Sequence, residues 1–168
     1  MNIIIRKETE TNVAAITEIT IAAFANNPHS HQTEQFIIHA LRKAHALTLS
    51  LVAEVDKKVV GHVAFSPVTI SDGSTGWYGV GPVSVVPELQ RRGIGKALIH
   101  AGLSALKALG AKGCMLVGDP AYYVRFGFRN IPELVLEGVP KEVFLALPFG
   151  ESKPSGAAIF HEAFTAKS

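Results

Sequence analysis

The stretch from Gly81 to Leu109 constrains the fold more than any other part of the chain. Val83-Ser84-Val85-Val86 reads as the end of an apolar strand, and Pro87, which cannot donate to a ladder, closes it. Glu88 to Ile94 then forms a polar, basic turn containing Arg91, Arg92 and Gly93. Gly95 to Leu109 is the strongest helix in the sequence, with Ile99, Leu103, Leu106 and Leu109 on one stripe and Gly110 as its stop. A strand, a tight basic turn and a long amphipathic helix follow one another without a spacer.

The rest of the chain supplies elements of both kinds. Asn2 to Lys7 reads as a short strand. Thr11 or Asn12 caps a helix with Val13, Ile16, Thr20 and Phe24 at helical spacing, which Asn26-Asn27-Pro28 stops. A second helix is expected from about Thr33 to His45, with Ile37, Leu41 and Ala44 on one face. Leu47 to Val55 and Lys58 to Ile70 read as strands joined by a hairpin at Asp56-Lys57. Trp77 to Val86 is another strand, and its Gly79, Gly81 and Pro82 predict a bulge or a splayed pairing. Cys114 to Val117 is a short buried strand and Ala121 to Phe126 a short helix; Phe128 begins a further strand, and Val143 to Leu147 and Ala157 to Phe160 complete the set. The expectation is one mixed α/β domain, residues 1–168, around a single sheet.

Composition narrows the function classes. A formal net charge of +2 over 168 residues, with no basic stripe interleaved with aromatics, gives no argument for nucleic acid. No apolar run approaches a membrane span, and Ile3-Ile4-Ile5 is far short of a signal peptide core. Cys114 is the single cysteine, so no internal disulfide forms and a reducing, cytoplasmic setting is expected.

The basic turn carries the chemistry. The first N–H groups of a helix lack backbone partners and bear partial positive charge, so a turn feeding a helix can hold a pyrophosphate. Gly93 and Gly95 remove Cβ atoms from its path, and Arg91, Arg92 and Lys96 add charge. Taken alone, the same residues are equally a glycine-containing connection with solvated basic side chains. Two other phosphate motifs do not fit. A P-loop needs Gly at Gln90 and Ser or Thr at Ala97. The dinucleotide fingerprint needs Gly or Ala at Leu98 and an acid about twenty residues on, where Gly113 stands.

What does fit is the Q/R-x-x-G-x-G/A signature, here Gln90-Arg91-Arg92-Gly93-Ile94-Gly95, after the strand Gly81-Pro82-Val83-Ser84-Val85. It resembles the GNAT superfamily of N-acetyltransferases. A second landmark of that family follows at the expected distance in Gly118-Asp119-Pro120-Ala121-Tyr122-Tyr123-Val124-Arg125-Phe126-Gly127-Phe128. The GDPAYY run and Gly76-Trp77-Tyr78-Gly79 resemble a bacterial subgroup of the family, and the element order from Ile3 to Leu147 agrees with it. The resemblance implies a mostly antiparallel sheet flanked by helices, with a splayed-strand cofactor cleft. In that cleft the backbone of Val83, Ser84 and Val85 pairs with pantetheine, while amides of Arg91, Arg92, Gly93, Ile94, Gly95 and Lys96, with Gln90, hold the pyrophosphate of acetyl-CoA. No metal is implied.

The implied reaction is direct attack of an amine on the thioester, in a ternary complex. The departing sulfur then needs a proton. Reference pKa values of about 8.5 for a thiol and about 10 for a tyrosine make that transfer nearly balanced, so a phenol is a sensible acid. The motif position assigns this role to Tyr123; Tyr122 is its rival, and adjacent helical residues point in different directions. No base is named by the sequence, because Trp77 to Val86 contains no acid where some relatives place a carboxylate. A water relay or a backbone carbonyl stays open.

Other polar residues read as structural. Glu88 is solvated and Asp119 caps the short helix. Cys114 is a small buried hydrophobe. His29 and His31 sit in a substrate loop without the further ligands a metal needs. His62 and His100 are structural or solvent-facing, and Trp77 and Tyr78 suit either the acceptor cleft or sheet packing. The implied partner is a small-molecule or peptide amine acceptor, with neither nucleic acid nor membrane and with room for a homodimer. A regulatory module that binds acyl-CoA without turnover is the rival reading.

Overall fold

The computed structural model describes residues Met1–Ser168, and its chain folds as a mixed α/β protein with a mostly antiparallel sheet flanked by helices. Contacts group the residues into two compact units. The first is Met1–Phe65, Gly81–Leu103 and Glu162–Ser168; the second is Ser66–Val80 and Ser104–His161.

In the first unit, β1 (Ile3–Lys7) pairs antiparallel with β2 (Leu49–Val55), from Ile3↔Val55 to Lys7↔Leu51. β2 pairs antiparallel with β3 (Lys58–Ile70), from Val55↔Lys58 to Leu49↔Phe65, with a register shift between Ala53 and Glu54. Asp56 and Lys57 both have positive φ, 51° and 64°, as a two-residue hairpin of this hand requires. α1 (Val13–Phe24) and α2 (Glu34–Lys43) cover one face of these strands. There Ile16 and Ile38 pack on Val52 and Val59, and Ile37, Leu41 and Ala46 close over Ala163 near the C-terminus. Alternation along β3 sends its other face to α3 (Ile94–Ala108), where Gly102 leaves room for the Phe65 ring. Ile94, Leu98 and Ile99 are almost fully buried, each contributing about 1.5–3 kcal/mol.

In the second unit, β4 (Trp77–Val85) contributes Trp77, Tyr78 and Gly79, which run parallel to Gly113, Cys114 and Met115 of β5 (Gly113–Val117). β5 pairs antiparallel with β7 (Phe144–Pro148), from Gly113↔Pro148 to Val117↔Phe144. After α4 (Pro120–Tyr123) comes β6 (Leu134–Val135), which lies parallel to β8 (Gly156–Phe160), and β8 pairs antiparallel with Val68 to Ile70. Val68, Ile70, Trp77, Met115, Leu134 and Phe144 form the core of this unit.

Four sequence expectations change. α3 ends at Ala108, which leaves Leu109 58% exposed and outside the apolar stripe. α2 ends at Lys43; Ala44 is exposed, and Ala46 is buried in its place. The Ala121–Phe126 helix is α4 followed by a tighter turn, Val124–Phe126. Phe128 is a buried core side chain rather than the start of a strand; only Arg129 bridges, to Ala146, before the chain turns away.

Candidate active site

The basic turn lies in the first unit. β4 ends at Val85, and the Val86 N–H donates to Val60 C=O at 2.9 Å, tying the strand's end to β3. Pro87–Leu89 makes one 3-10 turn, and the Gln90 side chain reaches back to donate Nε2–H to Val85 C=O at 3.0 Å. Gln90 therefore clips the turn to the strand. Arg91 and Gly93 both take left-handed backbone, φ 64° and 87°. Left-handed residues within such a turn aim successive N–H groups toward one concave spot, a nest for an anion. Glycine at 93 is a conformational demand, since a Cβ there would meet nothing within 4 Å.

α3 starts directly after. The Ala97 N–H donates to Gly93 C=O at 3.0 Å, so the amides of Ile94, Gly95 and Lys96 precede this first intrahelical bond and have no partner within the helix. Arg91, Arg92, Gly93 and Lys96 are exposed while Ile94 is buried, which anchors the start of the helix and leaves the cations in solvent. The residues present fit a pyrophosphate. Ser84 is 1% exposed, and its hydroxyl lies 3.4 Å from Thr20 Oγ1 on α1, so its side chain is engaged inside the fold. Val83 and Val85 are half-buried.

The tyrosine segment lies in the second unit. Asp119 caps α4, accepting from the Ala121 N–H at 3.0 Å through Oδ1, while its own C=O accepts from the amides of Tyr122 and Tyr123. Gly127 ends the segment with φ 96°. The two tyrosines are perpendicular, ring centres 4.9 Å apart, and are held differently. Tyr122 is stacked by the Arg125 guanidinium 4.4 Å above its ring, and Arg125 Nε also donates to the Tyr122 C=O at 2.8 Å. Tyr123 packs edge-on against Phe128 at 5.8 Å. Burial, with Tyr122 adding to it, pushes the Tyr123 phenol up to about 12. Tyr123 is therefore fully protonated at neutral pH.

Cys114 is buried and its thiol is pushed well above the ordinary range by burial, although Lys107 pulls the other way. Glu88, His29 and His31 are exposed. Trp77 belongs to the core of its unit, and Tyr78 is half-buried.

One cluster escaped sequence reasoning. Arg42 donates to both Glu8 carboxylate oxygens, at 3.1 and 2.9 Å, and the Ser50 hydroxyl donates to the same carboxylate. His62 Nε2 lies 2.7 Å from Ser50 Oγ. Since the single Ser50 proton goes to Glu8, His62 must donate, which leaves Nδ1 as a buried acceptor with no protein partner. Burial holds His62 down to about 4; Glu8 opposes this and Arg42 adds to it.

The profile of the "Acetyltransferase (GNAT) family" matches residues 13–128, which include both the turn and the tyrosine segment. The chain belongs to the GNAT family of acetyltransferases. It is 36% identical over 110 residues to the Escherichia coli K12 protein described as "Uncharacterized N-acetyltransferase YhbS", a match covering 65% of this chain and 66%, just under two thirds, of that relative. Among solved structures, a GNAT family acetyltransferase from Brucella melitensis in complex with acetyl-CoA is 48% identical. It superposes with a TM-score of 0.87 over 97% of this chain and 98% of its own. Escherichia coli YhbS in complex with CoA is 28% identical, with a TM-score of 0.85 over 100% of this chain and 94% of its own. No helix of this GNAT chain is long and apolar enough to cross a membrane.

Proposed function

We propose that this GNAT chain is a single catalytic domain that transfers the acetyl group of acetyl-CoA to the amine of a small-molecule or peptide acceptor. The observation that carries this reading is the Gln90–Lys96 turn, whose two left-handed residues and free helix-start amides suit a pyrophosphate. The two solved relatives, bound to acetyl-CoA and to CoA, support that choice of ligand. Amides from Arg91 to Lys96 would bind the pyrophosphate, and the Val83–Val85 backbone would pair with pantetheine.

In the reaction the amine nitrogen bonds to the thioester carbonyl carbon, the carbon–sulfur bond breaks, the nitrogen loses a proton and sulfur gains one. We assign Tyr123 as the donor to sulfur. Its raised pKa revises the balance drawn from reference values: full transfer to a thiolate of ordinary pKa, about 8.5, is uphill by roughly 5 kcal/mol. The phenol therefore acts first as a hydrogen-bond donor that stabilises charge developing on sulfur. Cytoplasmic action suits a chain whose one cysteine, Cys114, is a free thiol.

The test is release of free CoA from acetyl-CoA in the presence of an amine panel, with products identified by mass spectrometry. Acetylated product with at least one amine is expected. Acetyl-CoA binding without turnover across a broad panel would favour a sensing module over an enzyme.

A further inference from the structure

Gly118 lies between β5 and α4, at the head of the Gly118–Phe128 segment. Its surroundings give it a specific task. A Cβ built on Gly118 would stand 2.5 Å from Tyr123 Cε2, 2.9 Å from Tyr123 Cδ2 and 3.3 Å from Leu116 Cδ1. Cε2 is the ring carbon next to the one bearing the hydroxyl, so the tightest contact falls at the functional end of the ring.

The backbone cannot retreat to relieve that contact. The Gly118 N–H donates to Val143 C=O at 2.9 Å, directly beyond the last β5–β7 partners, Val117↔Phe144. The Tyr123 N–H donates to Asp119 C=O at 3.0 Å, which closes the segment into one tight turn. The ring thus folds back over its own loop and rests on the bare Cα of Gly118, with Phe128 against its edge.

We propose that Gly118 is a positioning residue for Tyr123: the missing side chain is the seat that fixes where the phenol hydroxyl stands. This rests on the assignment of Tyr123 as the donor to sulfur. A methyl at 118 would force the hydroxyl end of the ring to move by about 1 Å to regain ordinary carbon–carbon contact. A donor displaced by that much loses much of its effect on the reacting atom. The turn that binds acetyl-CoA is untouched by the change.

The experiment is a kinetic cycle of Gly118→Ala and Tyr123→Phe, with folding checked by thermal melting. Gly118→Ala is expected to lower kcat about ten- to a hundredfold and to leave KM for acetyl-CoA within about twofold. In the Tyr123→Phe background the same alanine should change kcat by less than about twofold, because no hydroxyl remains to misplace. A folded Gly118→Ala protein with wild-type kcat overturns the proposal. So does an equal loss in both backgrounds, which would mark a general structural effect. If Tyr123→Phe alone keeps full kcat, the donor assignment fails and the positioning role falls with it. If Tyr123→Phe is slow and Gly118→Ala is not, only the positioning role fails. Should the alanine variant not fold, Phe128→Leu takes away the ring packed edge-on against Tyr123. It must slow turnover only while the hydroxyl is present; an unchanged rate, or equal losses in both backgrounds, overturns the proposal.

Discussion

The basic turn and the tyrosine segment make an instructive pair, because each is fixed by a different kind of interaction. The turn is shaped through its backbone. Arg91 and Gly93 are left-handed, Gln90 is spent as a clip on Val85, and the helix-start amides without a partner in the helix belong to residues of varied type. The tyrosine segment works through side-chain packing. Tyr123 is placed by the absence of a side chain at Gly118 and by the Phe128 ring, and its proton is held by burial. Function at the turn should therefore tolerate the loss of a side chain and fail when backbone is strained. At the tyrosine segment a single hydroxyl should matter more than anything the backbone does.

The largest effect should come from the packed site. Tyr123→Phe keeps the ring and should lower kcat roughly ten- to a thousandfold with little change in acetyl-CoA affinity. Tyr122→Phe, whose ring is stacked by Arg125 instead, should stay within about twofold. Exchange of these two results would move the donor to Tyr122. With the phenol near 12, the loss should be uniform with pH and move no basic limb below about pH 10.

Next comes the turn. Gly93→Val places a β-branched residue at φ 87°, a strain of about 1–3 kcal/mol, and should weaken acetyl-CoA binding by about a hundredfold in a folded protein. Arg91→Gly keeps the left-handed backbone and removes only a charge, so calorimetric titration should show a loss of a few-fold. Equal losses in the two variants would break the contrast between backbone and side chain.

A smaller effect is expected far from either motif, at the buried His62. Its pKa in the fold, about 4, lies below the ordinary value of about 6.5, so folding favours the neutral ring. The stabilisation is complete above about pH 6.5 and declines as pH falls, levelling near pH 4, with a loss of about 2 kcal/mol by pH 5. Glu8, held below its ordinary value against the upward push of burial by Arg42 and Ser50, adds a further loss at still lower pH. Melting curves should fall between pH 7 and 5, and His62→Gln should flatten that fall. A wild-type melting point constant over that range would contradict the buried neutral histidine.

How far the sequence could be read follows the same division. Local features were legible: the β4–turn–α3 sequence, the Asp56-Lys57 hairpin and the Asp119 cap each depend on residues within a few positions of one another. Features assembled from distant positions were not. Glu8, Arg42, Ser50 and His62 come from four separate segments, and nothing in their spacing announces a network. β6 has two residues and exists only because β8 lies beside it. Phe128 looks like a strand residue, yet it is buried as a brace for Tyr123. Gly118 carries no signal that separates a seat for a ring from a turn.

The central claim, that the Gln90–Lys96 turn binds the pyrophosphate of acetyl-CoA, is tested most directly by thermal unfolding with saturating ligand. Acetyl-CoA at about a hundred times its Kd should stabilise the protein by about 2.7 kcal/mol, raising Tm by roughly 5–10 °C for a chain of this size. Dephospho-CoA should keep most of that shift, because the pyrophosphate remains. An unchanged Tm with saturating acetyl-CoA would contradict the account.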